Sequence, residues 1–179
     1  MRERYWSLFN QEKHKYFYFE SYKVRCDKID RKLKIFLAFA SCGSIAAWGL
    51  WKEFPALWAI VLATSQILSV MQDYLPFSQE ATSLNFFLPE LNAVLIEIEH
   101  GWNGIDRMSE VEISEKIVQF QRQIANLESK YLGGLTFAQN QNCGRKATEE
   151  QIKFFAYILC NIKNVINPEC SKKIYSSYR

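Results

Sequence analysis

Two uncharged stretches stand almost back to back in this chain, and they constrain its fold more than any other feature. Residues 35–51, IFLAFASCGSIAAWGLW, hold no ionisable group except Cys42, and residues 54–71 hold none at all. Only Lys52 and Glu53 separate them. As a helix, seventeen residues rise about 25 Å, slightly less than a hydrocarbon core of roughly 30 Å, and the stems of Lys34 and Lys52 can extend the apolar length by snorkelling. Pro55 suits the first turn of the second helix, where no backbone donor is lost. Asp73 and Pro76 end that run, Trp48, Trp51 and Trp58 surround the turn and Tyr74 lies at the opposite end, positions where aromatic side chains favour a membrane interface. Neither run carries the charged stripe of a soluble amphipathic helix. The expectation is a transmembrane hairpin crossing twice over 34–75, with two core helices of a soluble bundle as the alternative.

Basic residues orient the hairpin. Ten Lys and Arg lie in residues 1–34, Lys52 stands alone in the turn, and the next is Arg107. The positive-inside bias then places both termini in the cytoplasm, and the turn is the outer tip. The start, MRERYWSLFNQEKHKY, has no compact apolar core or cleavage site of a secretory signal, so no removal is expected. Five cysteines, with no C-x-x-C, indicate neither a disulfide framework nor a zinc site.

Residues 1–33 interleave Trp6, Phe9, Tyr16, Phe17, Tyr18, Phe19 and Tyr22 with Arg and Lys, a composition suited to an amphipathic helix on an anionic membrane surface. Packing between cytoplasmic helices explains the same aromatics. Nucleic-acid binding through residues 2–25 is the less favoured reading, because the segment runs directly into the first span.

Residues 76–179 read as a cytoplasmic helical region. Leu91, Val94, Leu95 and Ile98 recur at helical spacing behind Pro89 until GWNG at 101–104 breaks the pattern. Ser109 and Glu112 form a capping-box pattern, followed by a heptad seam of Ile113, Ile117, Phe120, Ile124, Leu127 and Tyr131. Gly133-Gly134 stops it. A polar loop then reaches Lys146, Thr148 and Gln151 resemble a second capping box, and Ile152, Phe155, Leu159, Ile162 and Ile166 give another seam before Pro168. The two seamed helices are expected to pack antiparallel on each other or on a second protomer.

Catalytic signatures are sparse. Glu97 and His100 have the Glu-x-x-His spacing of di-iron bundles, but the second copy such a site needs is lacking, so neither metal nor cofactor is expected. No phosphate-binding loop, nucleophile elbow or dinucleotide fingerprint occurs, and the chain is read as non-enzymatic.

The order of parts over residues 10–166, a basic amphipathic lead, two short spans with a minimal turn, and a cytoplasmic helical region, resembles the SLATT class of bacterial two-transmembrane effector domains found in anti-phage systems. The resemblance rests on architecture and carries no family residue onto this chain. It implies an inner-membrane effector, held inactive by a partner or trigger, that oligomerises and disrupts the membrane to arrest or kill the infected cell. Gly43 and Ala47 form a small-x-x-x-small pair suited to close helix approach, while Gln66, Ser69 and Asp73 share one face of the second span as a candidate pore lining. Gln66 bonding within one hairpin, with Asp73 solvated, explains the same residues. Expected partners are membrane lipid, further copies of the chain, and a regulatory protein or nucleoprotein complex. A membrane-tethered adaptor, a soluble helical interaction module and a nucleotide-sensing effector are the other classes.

Overall fold

A computed structural model describes residues 1–50, 55–71 and 76–164, and every regular element among them is helical. The first helix, α1, runs from Arg2 to Leu50 without interruption. Its first glycine is Gly43 and it contains no proline, so nothing in the backbone chemistry stops it earlier. At 1.5 Å per residue it is about 73 Å long, a single rod joining the basic aromatic lead to the first apolar run. The boundary expected at residue 33 falls inside this rod. The second helix, α2 (Pro55–Met71), packs against α1.

The remaining helices gather around the N-terminal half of the rod. α3 spans Pro76–Asn103 and lies against α1; α4 spans Glu110–Leu132 and lies mainly against α3; α5 spans Gln141–Asn164 and lies against α1. Their shared core contains Tyr5, Phe9 and Tyr22 of α1, Leu84, Phe87, Leu91, Leu95 and Ile98 of α3, Ile113, Ile117, Phe120 and Ile124 of α4, and Cys143 of α5. The aromatics of the basic lead therefore face protein. Trp6 meets Trp102 and Phe155, each at a ring separation of 4.9 Å, Phe19 packs edge-on to Phe87 and Phe137, and Tyr18 and Tyr22 stack. Of the two explanations for these residues, packing between helices describes the fold.

α3 begins thirteen residues before Pro89 and passes straight through it. Pro89 offers no N–H to the carbonyl of Asn85, but both residues are exposed and water can serve that carbonyl. At the other end GWNG closes the helix as its composition requires, and a single 3-10 turn, Ile105–Arg107, leads to α4. The Ser109 capping box forms in full: the Glu112 N–H donates to Ser109 Oγ at 3.3 Å, and Ser109 N–H donates to the Glu112 carboxylate at 2.7 Å. Beyond α4, Gly134 has φ 88°, a left-handed conformation that favours glycine where a helix ends.

Two expectations about the C-terminal helices are corrected. α5 begins at Gln141, so Thr148 is an interior residue that donates to the Gly144 carbonyl at 3.1 Å. The cap is Asn140, whose side-chain oxygen accepts from the Cys143 N–H at 3.1 Å. Nor do α4 and α5 form an antiparallel pair: α5 lies instead against the aromatic face of α1. Phe155 packs on Trp6 and Phe9, and Lys13 of α1 sets its ammonium 3.9 Å from the centre of the Phe154 ring. Gln151 secures the same contact by donating to the Asn10 carbonyl at 2.7 Å and bonding to His14 Nδ1 at 2.9 Å.

Candidate functional site

The candidate site is the stem formed by the C-terminal part of α1 and by α2. Along α2, Ser65 is buried and Leu68 half-buried, and this narrow stripe is the only covered part among its described side chains. Ile60, Ile67 and Val70 lie 60–67% exposed on the remaining surface. On α1 the exposed series is Ile35, Phe36 and Phe39, the last at 75%. A helix that is apolar all round belongs in a protein interior or in lipid, since each fully exposed large side chain forgoes about 1.5–3 kcal/mol of burial. The bundle half also leaves Phe86, Ile96, Val111 and Ile152 59–67% exposed, but those helices carry charged residues beside them, whereas α2 carries no charge on any face.

Gln66 and Ser69 are both exposed on α2. Thr64 turns its hydroxyl onto the Ile60 carbonyl at 2.7 Å, which satisfies it within its own helix. Gly43 and Ala47 fall in the last two turns of α1, and their packing face lies outside the described residues, as do Asp73 and the outer tip. Among the described residues no helix is long and apolar enough to cross a membrane, α2 being seventeen residues long.

The second group of expected site residues, the seams, divides sharply. Ile113, Ile117, Phe120 and Ile124 are buried, with Leu127 packed at the edge of the core. In α5, Phe155 is half-buried while Ile152 is 64% exposed, and the side chain of Leu159 lies outside the described residues. Glu97 and His100 are exposed, and no group of three or more potential metal ligands occurs among the described residues.

A polar cluster that the sequence reading passed over sits between bundle and stem. Glu80, one turn into α3, is only 2% exposed and accepts hydrogen bonds from the Tyr22 hydroxyl at 3.1 Å and the Cys26 thiol at 3.6 Å. Burial pushes the Cys26 thiol up to about 12, and the Glu80 carboxylate adds to the rise. Burial and the same carboxylate raise Tyr22 to about 12. A thiol held protonated in this way is not a nucleophile near neutral pH. Its structural effect is to pin the start of α3, where the chain returns from α2, to α1. Glu80 is the one acid between Asp73 and Glu90, and Tyr22 and Cys26 are one helical turn apart, which are the only sequence signals the cluster leaves.

No family model, curated protein or solved structure matches the chain.

Proposed function

We propose that the α1–α2 stem enters the bacterial inner membrane as a two-span hairpin, and that the chain is a non-enzymatic effector whose stems assemble to disturb the bilayer. The observation that supports this reading is the exposure of Ile60, Ile67 and Val70 on α2, together with Phe39 on α1. Lipid covers such a surface without a dedicated protein partner. At about 25 Å, α2 is shorter than a bilayer core, and local thinning with snorkelling flanks accommodates the difference. A hairpin that thins its surroundings is already a perturbation of the membrane. In this reading the ten basic residues before the stem keep both termini cytoplasmic, and the bundle receives a regulatory protein or nucleoprotein partner. The burial of Tyr5, Phe9 and Tyr22 leaves these rings no free face for stacking on bases, which favours lipid over nucleic acid as the direct contact.

Gln66 and Ser69, exposed on α2, are the side chains available to line a path when stems associate, and Gly43 and Ala47 allow close approach. The test is membrane potential during induced expression, with equal membrane amounts of each variant. Gln66→Leu should remain in the membrane and lose depolarisation, whereas Gly43→Leu should reduce crosslinked oligomers first. Full depolarisation by Gln66→Leu would sink the pore-face assignment and leave a membrane-tethered adaptor as the better reading.

A further inference from the structure

The N-terminal end of α5 meets α1 at a half-open cavity of about 360 Å³ with an unusual charge pattern. Arg25, Lys28 and Lys32 of α1 line one side and Lys146 of α5 the other, with Ser21 and Asn142 as neutral hydrogen-bonding groups and no carboxylate on the lining. The three α1 cations follow the i, i+3, i+7 spacing of one helical face, and Asn142 and Lys146 stand one turn apart on α5. The positive end of a 24-residue helix adds to the same field.

Several cations elsewhere are matched to acids: Lys15 to Glu12 and Glu128, Lys34 to Asp30, Lys130 to Glu90, Lys153 to Glu150. Arg25, Lys28, Lys32 and Lys146 make no such pair among the described residues. Four like charges around one small cavity repel one another, and an anion between them converts that repulsion into attraction. We propose that this cavity is a binding site for a phosphate-dense anion, held by Arg25, Lys28, Lys32 and Lys146. Arg25 supplies a planar fork that can take two phosphate oxygens, and the lysines supply point charges around it. The volume suits a compact polyphosphate or a phosphorylated headgroup.

Lys32 precedes by three residues Ile35, the first of the exposed apolar residues of the stem. A phosphate source is thus available from either side: a lipid headgroup, if the stem is inserted, or a soluble phosphorylated molecule. Only the lipid source rests on the membrane reading, and the cavity itself does not.

The test uses the full chain in neutral detergent, with inorganic tripolyphosphate as probe and binding followed by calorimetry at two salt concentrations. Saturable, salt-sensitive binding is expected, weakened about tenfold or more by Lys28→Gln with Lys146→Gln, and likewise by Arg25→Gln with Lys32→Gln. Lys23→Gln, a charge loss on α1 outside the cavity, should leave it nearly unchanged. Mixed micelles containing phosphatidylglycerol identify the source: competition with tripolyphosphate assigns a headgroup, and its absence a soluble phosphate. No saturable binding, or equal weakening by Lys23→Gln in variants that keep the parent's helical content, overturns the proposal. That failure would leave membrane insertion of the stem untouched, because insertion is read by extraction and not by phosphate binding.

Discussion

The Tyr5 hydroxyl donates to the Ile98 carbonyl at 2.9 Å across 93 residues of sequence, and the ring reaches it by passing over Gly101. A methyl at Gly101 would occupy the space of the Tyr5 hydroxyl, so glycine there is required by close approach and not by its dihedral angles. Gly101→Ala should therefore destabilise the bundle by about 1–3 kcal/mol. Tyr5→Phe alone should cost about 1 kcal/mol, and in that background the Gly101→Ala penalty should shrink. Denaturant unfolding of the four proteins in the cycle measures the coupling, and additive penalties would contradict the contact.

The α5 docking surface gives a second contrast. Phe155→Ala removes a ring packed on Trp6 and Phe9 and should cost about 2–4 kcal/mol, while Ile152→Ala, at an exposed position of the same sequence seam, should stay within about 0.5 kcal/mol. Thermal unfolding separates the two. A cost at Ile152 as large as at Phe155 would restore the expectation that the whole seam is packed.

The α4 seam, its Ser109 cap and the break at GWNG were legible because each rests on local chemistry: helical periodicity, a reciprocal side-chain cap, and paired glycines. The partner of each seam was not, since periodicity fixes which face is apolar but not which helix covers it. The start of α5 is hidden in the sequence because Thr148 and Gln151 mimic a cap, while Asn140 caps a first turn whose one buried residue is Cys143. Interface and core use the same aromatics, so the lead of α1 is ambiguous in sequence, and the rings of Phe155, Trp102 and Phe87 packed against it decide for the core. The basic cavity and the Glu80 cluster depend on distant parts of the chain meeting in space. Gln66 and Ser69 are exposed on α2.

Alkaline pH should act through the Glu80 cluster. The Cys26 thiol rises from an ordinary value near 9 to about 12, and the Tyr22 hydroxyl from near 10 to about 12. Between these limits the folded chain holds protons that the unfolded chain releases, so stability falls as pH rises from about 9 to 12 and is fully retained below that window. Cys26→Ala should flatten part of this alkaline loss. Unfolding midpoints at pH 8, 10 and 11 provide the check, and an identical pH dependence in parent and variant would contradict the cluster's role.

Topology follows from the basic residues before the stem. Tags at either terminus should resist protease added outside the cell, while a cleavage site inserted between Trp51 and Phe54 should be cut. External cleavage of either terminus would overturn the orientation.

Membrane partition of the whole chain after alkaline carbonate extraction tests the central claim most directly, because carbonate strips peripheral proteins and leaves inserted ones. The exposed apolar residues Phe39, Ile60, Ile67 and Val70 predict that the chain stays in the membrane pellet, and that Ile60→Asp with Ile67→Asp shifts it toward the supernatant. Recovery of the parent chain in the supernatant, folded and free of lipid, would contradict insertion and return α1 and α2 to a water-soluble assembly that covers this surface with protein.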